Sequence, residues 1–132
     1  KRFPTGKVAI LGRSIGTGLA THLAADRKTD LLILETPFLN FPKLTNSILP
    51  GVPTFLLKYN FRNDLWILNL TCPIYIFHGR NDEVIPFEHG FELAKSKGGA
   101  KPAKFIEFPR GGHNDLSGYP EYWNAIEAIF KH

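Results

Sequence analysis

The sequence has 132 residues, of which 43% are hydrophobic and 21% charged, and its formal net charge is +4. These values exclude disordered and collagen-like chains and fit one globular domain that buries a hydrophobic core. The 16 Lys and Arg residues are scattered along the chain, whereas a nucleic-acid-binding surface would cluster them, so we expect no nucleic acid as a partner.

Four short apolar runs predict four β-strands, at residues 8–11, 31–34, 74–77 and 105–108. The first three show no polar alternation, which is typical of strands covered on both faces in a parallel sheet. The fourth carries Glu107, as a strand at the edge of a sheet can.

Helical patterns alternate with these runs. Residues 15–26 place Ile15, Leu19 and Leu23 at four-residue intervals, and residues 87–97 and 119–131 also gather apolar side chains on one face. The predicted class is therefore α/β, a parallel sheet of about four strands flanked by helices. Residues 38–71 break the alternation with prolines and aromatic residues, and we interpret them as an aromatic-rich insertion over one end of the sheet.

The residues at 12–16, Gly-Arg-Ser-Ile-Gly, match the pattern G-x-S-x-G where the first strand ends and the first helix begins. A nucleophilic serine on such a tight turn projects its hydroxyl above the sheet. Small residues two before and two after it let the strand and helix backbones pass closely. The alternative is a glycine-rich, phosphate-binding type of turn in which Ser14 only caps the helix.

Two further candidates follow the third and fourth strands. Asp82 lies in His-Gly-Arg-Asn-Asp-Glu-Val-Ile-Pro at 78–86, and His113 lies in Gly-Gly-His-Asn-Asp at 111–115. Because the carboxyl ends of parallel strands open onto one edge of the sheet, Ser14, Asp82 and His113 can converge there. His113 would then take the serine proton, and Asp82 would orient the imidazole.

Other titratable residues near these motifs have different interpretations. His78 lies within the strand pattern, and we expect a buried histidine bonded to the backbone. Glu83 competes with Asp82 for the role of the acid, and Asp115 is expected to stabilise a local turn. Three histidines are expected on solvated helix surfaces or at the terminus, namely His22, His89 and His132.

Together, these motifs resemble the C-terminal half of an α/β-hydrolase, of the serine-esterase branch that includes protein depalmitoylases and monoacylglycerol lipases. The segments at 35–38 and 86–90 are also similar to that branch. The resemblance implies that these strands are the last four of eight, and it favours Asp82 over Glu83. It also implies that the N–H of Ile15 contributes to an oxyanion hole, whose second donor loop would lie upstream of these 132 residues.

The resemblance implies a serine hydrolase that cleaves esters or thioesters of an acyl chain through an acyl-enzyme, without a metal or cofactor. Aromatic residues of the insertion would bind the acyl chain, unless they only pack over the end of the sheet; these are Phe38, Phe41 and Tyr59. Two alternatives stay open. One is a non-catalytic fragment or pseudo-enzyme that binds an acyl ligand or a partner chain, and the other is a serine peptidase of the prolyl-oligopeptidase type.

We expect residues 1–132 to form one domain that is part of a longer fold. The run at 8–11 is apolar on both faces, yet as the first strand it would lie at a sheet edge, so it should pair with a missing N-terminal half or with a second copy in a homodimer. The apolar runs are far shorter than the roughly twenty residues that cross a bilayer, so no membrane span is expected. The lone cysteine, Cys72, excludes an internal disulfide, and we expect a cytoplasmic location.

Overall fold

The computed structural model describes residues 6–48, 60–99 and 101–131. Its four strands form one parallel sheet with the order β1-β2-β3-β4. The strands are β1 (Ala9–Arg13), β2 (Leu31–Glu35), β3 (Ile74–Gly79) and β4 (Lys104–Phe108). The helices are α1 (Gly16–Asp26), α2 (Phe41–Ile48), α3 (Asn63–Trp66), α4 (Phe87–Ser96) and α5 (Pro120–Phe130). The predicted α/β class, a parallel sheet of four strands flanked by helices, is confirmed.

The two faces of the sheet are covered by different helices, because successive side chains of a strand point to opposite faces. Leu32 and Leu34 of β2 belong to a buried cluster with residues of α1 and α4. Ile33, between them, packs instead with Phe77 and with Tyr122 of α5. Strands β2 and β3 are therefore covered on both faces, as their uninterrupted apolar runs predict.

Strand β1 lies at one edge of the described sheet, as expected for the first strand, and Val8 and Leu11 are about half exposed. At the opposite edge lies β4, where Glu107 is exposed, as predicted for an edge strand. The expectation that both faces of the first strand are covered is thus wrong for the residues that the structure describes.

Helix α1 buries the side opposite to the one that its apolar pattern indicates. Ile15, Leu19 and Leu23 are 47–62% exposed. The buried residues are small instead: Thr17, Gly18, Ala20, Thr21 and Ala24. They are small because the helix runs close to β1, where a Cβ on Gly12 would lie only 2.5 Å from that of Ala20.

Strand register brings the carboxyl ends of the strands together. Arg13 pairs with Glu35 at the ends of β1 and β2, and Gly79 pairs with Phe108 at the ends of β3 and β4. The segments that follow these residues therefore leave the sheet along the same edge. No helix in the described part of the chain is both long and apolar enough to cross a membrane.

Candidate active site

Ser14 occupies a strained turn between β1 and α1. Its φ is 53°, in the left-handed region that side-chain-bearing residues rarely adopt. Its N–H donates to the Glu35 carbonyl at 2.9 Å, and its own carbonyl accepts from the N–H and the hydroxyl of Thr17, at 3.0 and 2.6 Å. These bonds fix the turn, so the serine hydroxyl projects beyond the end of the sheet.

The two glycines of the G-x-S-x-G motif differ in their surroundings. A Cβ on Gly12 would meet Ala20 and the Gly16 carbonyl, at 2.5 and 2.9 Å. A Cβ on Gly16 would meet no described atom within 4 Å. The need for a small residue, expected at both positions, therefore holds at Gly12 and not at Gly16 among the described residues.

Asp82 lies in the turn after β3, and its carboxylate is buried. The Oδ1 atom accepts hydrogen bonds from the N–H groups of Val84 and Ile85, at 2.9 and 2.8 Å. Burial raises the pKa of Asp82, but hydrogen bonds from His78, His113 and these two N–H groups outweigh it, and the pKa ends below its usual range. The group is therefore an anion at neutral pH.

His113 joins the other two residues. Its Nε2 lies 3.0 Å from Ser14 Oγ, and its Nδ1 lies 3.0 and 3.1 Å from the two carboxylate oxygens of Asp82. The three residues come from turns that follow three different strands. The structure thus brings together the serine, histidine and aspartate that the sequence singled out, in one continuous chain of hydrogen bonds. Glu83 is exposed, and Asp82 is the carboxylate that contacts His113.

His78 is fully buried, and its Nε2 donates to the Ile85 carbonyl at 2.8 Å, as expected for a strand histidine bonded to the backbone. The same nitrogen lies 3.3 Å from Asp82 Oδ2. Its other nitrogen has no hydrogen-bond partner among the described residues. His78 therefore contacts the acid turn at both the Ile85 carbonyl and the Asp82 carboxylate.

Ile15 begins the turn into α1, and its N–H has no acceptor within the described ranges. An N–H that directly follows the candidate nucleophile at a helix start can face a developing oxyanion. A contribution of the Ile15 N–H to an oxyanion hole stays a prediction.

The aromatic residues of the insertion pack together. Phe38 and Phe41 are buried in a cluster with Ile85, against which Leu44 and Phe61 pack. The cluster adjoins the first turn of α1, where a Cβ on Gly18 would touch the Phe38 and Phe61 rings. Contact of Phe38 and Phe41 with a substrate stays a prediction. Tyr59 lies outside the described residues.

The remaining titratable candidates have structural positions. Asp115 accepts from the Gly112 N–H at 2.7 Å, which is the local turn expected of it. His22 is exposed beside the Trp66 ring. His89, by contrast, is buried, so the expectation of a solvated side chain is wrong for it. His132 lies outside the described residues.

Sequence reasoning missed a polar group beside Ser14, Asp82 and His113. Arg13 donates to the His113 carbonyl and to Asn114, and it faces Glu35, which accepts from the Tyr122 hydroxyl. The available signal was the position of Arg13 and Glu35, two charged residues at the ends of adjacent apolar runs. No group of metal-ligating side chains occurs among the residues that the structure describes.

Comparison with known proteins extends these observations. No family model matches the chain. Over 125 residues, 92% of this chain and 41% of the relative, it is 35% identical to alpha/beta hydrolase domain-containing protein 17B of Homo sapiens. The chain belongs to the α/β-hydrolase superfamily.

This α/β-hydrolase is similar to two further proteins. It is 36% identical over 124 residues to lysophosphatidylserine lipase ABHD12 of Danio rerio, covering 75% of this chain and 32% of that relative. It superposes on Pyrococcus horikoshii acylaminoacyl peptidase with a TM-score of 0.72 and 15% identity, over 95% of this chain and 23% of the other. At that identity the likeness concerns the fold alone. The chain spans about a quarter to two fifths of the length of the curated relatives it matches.

Proposed function

We propose that the protein is a serine hydrolase that cleaves carboxylic esters or thioesters of acyl chains through an acyl-enzyme. The observation that carries the proposal is the unbroken chain of hydrogen bonds from Ser14 through His113 to Asp82. Sequence similarity to a protein named as a lipase supports an acylated substrate.

The first half of the proposed reaction makes the acyl-enzyme. Ser14 Oγ attacks the carbonyl carbon while His113 Nε2 takes its proton, and the Ile15 N–H donates to the oxyanion that forms. The intermediate then collapses, the bond to the leaving group breaks, and His113 Nε2–H protonates the departing alcohol or thiol. Asp82 keeps its charge and accepts a hydrogen bond from His113 Nδ1–H throughout.

The second half releases the acid. A water molecule gives its proton to His113 Nε2 as its oxygen bonds to the acyl carbon. The bond to Ser14 Oγ then breaks, and the serine recovers its proton from His113. Each proton moves between Nε2 and the oxygen of the serine or the water, or the oxygen or sulfur of the leaving group, so one imidazole serves both halves without an added cofactor.

The acyl chain would lie over the apolar cluster of Phe38, Phe41 and Ile85. In this proposal Phe38 forms the floor, and the partly exposed rim is made by Leu44 and Phe61. The cluster suits an apolar chain because it adjoins both the nucleophile helix at Gly18 and the acid turn at Ile85. Tyr59 is proposed as a further contact.

Covalent labelling by a fluorophosphonate probe tests the proposal. Ser14→Ala should abolish labelling, because it removes only the attacking hydroxyl, and labelling that persists would overturn the assignment. Asp82→Asn should reduce hydrolysis by roughly 10⁴-fold because it favours the wrong imidazole tautomer. Glu83→Gln is the matched control and should leave the rate unchanged. If Glu83→Gln were the more damaging change, the other carboxylate would be the acid.

A substrate panel separates the alternatives. The proposal predicts turnover of short- and long-chain esters and thioesters, whereas a peptidase of the prolyl-oligopeptidase type would prefer amide substrates. Acyl-ligand binding without either activity, in a protein whose Ser14 does not react with the probe, would indicate a pseudo-enzyme.

A further inference from the structure

The segment that carries His113, residues 109–115, is held on its acid-turn side by the backbone. The Asn81 N–H donates to the Gly111 carbonyl at 2.9 Å, and the Gly79 backbone packs so closely that a Cβ there would overlap Gly111. These contacts position the start of the segment beside β3. They leave open what sets the distance from His113 to the nucleophile, which lies beyond β2 at the end of β1.

Arg13 bridges that distance. Its Nη2 donates to the His113 carbonyl at 3.1 Å and to Asn114 Oδ1 at 2.6 Å. Arg13 directly precedes Ser14, so a single side chain connects the backbone of the candidate nucleophile to the backbone of the candidate base. Because one guanidinium nitrogen carries two N–H groups in a rigid plane, the two bonds fix orientation as well as distance.

Glu35 and Tyr122 in turn hold Arg13. Glu35 is the register partner of Arg13 in the parallel pair of β1 and β2, and its Oε2 lies 3.9 Å from Arg13 Nε. The Tyr122 hydroxyl donates to Glu35 Oε1. Burial raises the pKa of Tyr122 far above its usual range, and the bond to Glu35 raises it further, so this hydroxyl stays a donor at every ordinary pH. These contacts therefore connect Tyr122, on the α5 face of the sheet, through Glu35 and Arg13 to the His113 segment.

We infer that Arg13 is a positioning residue, which latches the His113 segment onto the nucleophile turn and thereby sets the Ser14 to His113 contact. The inference rests on the proposed function for its chemistry, although the latch itself is a structural claim. Arg13 is not assigned a catalytic role, since its side chain contacts the His113 carbonyl, Asn114 and Glu35. Misplacement of a catalytic group by about 1 Å costs roughly a hundredfold in rate, so loss of the latch should act on the chemical step.

The experiment measures two properties of Arg13→Gln, Arg13→Lys and the matched control Arg27→Gln. Arg27 is an exposed arginine at the end of α1, and its ion pair among the described residues is with its neighbour Asp26. We expect Arg13→Gln to slow fluorophosphonate labelling and kcat about 10- to 100-fold with little change in KM. Arg13→Lys should recover part of the loss, because an ammonium keeps the charge and the donors but lacks the rigid plane of the guanidinium. Arg27→Gln should match the wild type.

The second readout is independent of catalysis. Amide hydrogen exchange of residues 110–115 should quicken about tenfold in Arg13→Gln, while exchange in β2 and β3 stays unchanged. Should Arg13→Gln unfold the protein, Asn114→Ala removes one acceptor and leaves the arginine in place, and it should show the same two effects at smaller size.

The outcomes separate the two claims. Labelling and exchange that are both unchanged in Arg13→Gln would overturn the latch and leave the proposed function standing. A wild-type protein that the probe does not label would overturn the proposed function, and the latch would then stand or fall on hydrogen exchange alone. Slower labelling with unchanged KM and faster local exchange supports both.

Discussion

His89 lies on α4 with only 1% of its surface exposed. Its Nδ1 accepts the Leu39 N–H at 3.1 Å, and its Nε2 lies 3.4 Å from Ser47 Oγ. Burial, followed by the positive charge of Lys43, lowers the pKa of His89 to about 4. His89 is therefore neutral in the folded protein under conditions where an unfolded chain would begin to protonate it.

This difference predicts a loss of stability in mild acid. The pKa of His89 is about 4 in the folded state and 6.5 ordinarily. Because the unfolded state binds the proton first, the free energy of unfolding should fall as pH drops from about 6.5 towards 4, by on the order of 3 kcal/mol. Urea unfolding at several pH values would measure the slope, which His89→Gln should largely remove.

The exposed His22 provides the control, and His22→Gln should keep the slope of the wild type. Asp82 does not interfere, because the stability from its lowered pKa is lost only below the ordinary pKa of an aspartate, about 3.9. A slope that survives in His89→Gln would contradict the assignment. The negative charges of Glu88 and Glu92 raise the pKa of His89 and only partly offset the lowering by burial and Lys43.

At the scale of an element, α1 shows how close packing overrides apolar patterning. The periodicity of Ile15, Leu19 and Leu23 indicates which side of the helix is apolar. It does not indicate which side can approach a strand closely. The approach is made by the small residues, with Gly12 of β1 against Ala20. The sequence therefore predicted the helix correctly and its buried side wrongly.

The contrast between the two motif glycines gives a test at this scale. Gly12→Ala should destabilise the protein by about 1–3 kcal/mol, because its Cβ would force β1 away from α1. Gly16→Ala should be neutral or stabilising by up to about 1 kcal/mol, since the position is helical and open. Chemical denaturation of both variants measures the difference. Equal losses of stability would contradict the close approach of α1 to β1.

Prediction from sequence succeeded where local pattern and topology suffice. The apolar runs of β2 and β3 identify buried strands, and the rule that parallel strands share a carboxyl edge brings Ser14, Asp82 and His113 together. It failed where side chains from separate elements meet. His89 contacts Leu39 and Ser47, which belong to the insertion and not to α4. The residue pattern of α4 therefore could not predict that His89 is buried.

For the whole molecule, the main feature is a group of exposed apolar residues near one edge of the sheet. Val8 and Leu11 of the β1 region and Ile15, Leu19 and Leu23 at α1 are 46–62% exposed. Monomeric proteins rarely expose extended apolar patches, and strand edges readily recruit another strand. We propose that further polypeptide covers this edge, either the additional length present in the relatives or a second copy of the chain.

The proposal predicts that the 132 residues alone self-associate through β1. Ala9→Lys places a charge on the exposed edge strand and should shift the protein towards monomers in light scattering. Ala25→Lys adds the same charge to an exposed position of α1 and should not. A stable monomer at high concentration, with full esterase turnover from this chain alone, would show that the edge needs no cover.

Two residues with side chains, Ser14 and Thr36, hold positive φ angles of 53° and 47° directly after β1 and β2. Each conformation costs roughly 1–2 kcal/mol that glycine would avoid. At position 14, however, glycine deletes the hydroxyl on which the proposed reaction depends. Selection for heat resistance alone would therefore favour variants that have lost the nucleophile, and any laboratory evolution of this protein must screen for turnover and thermal tolerance together.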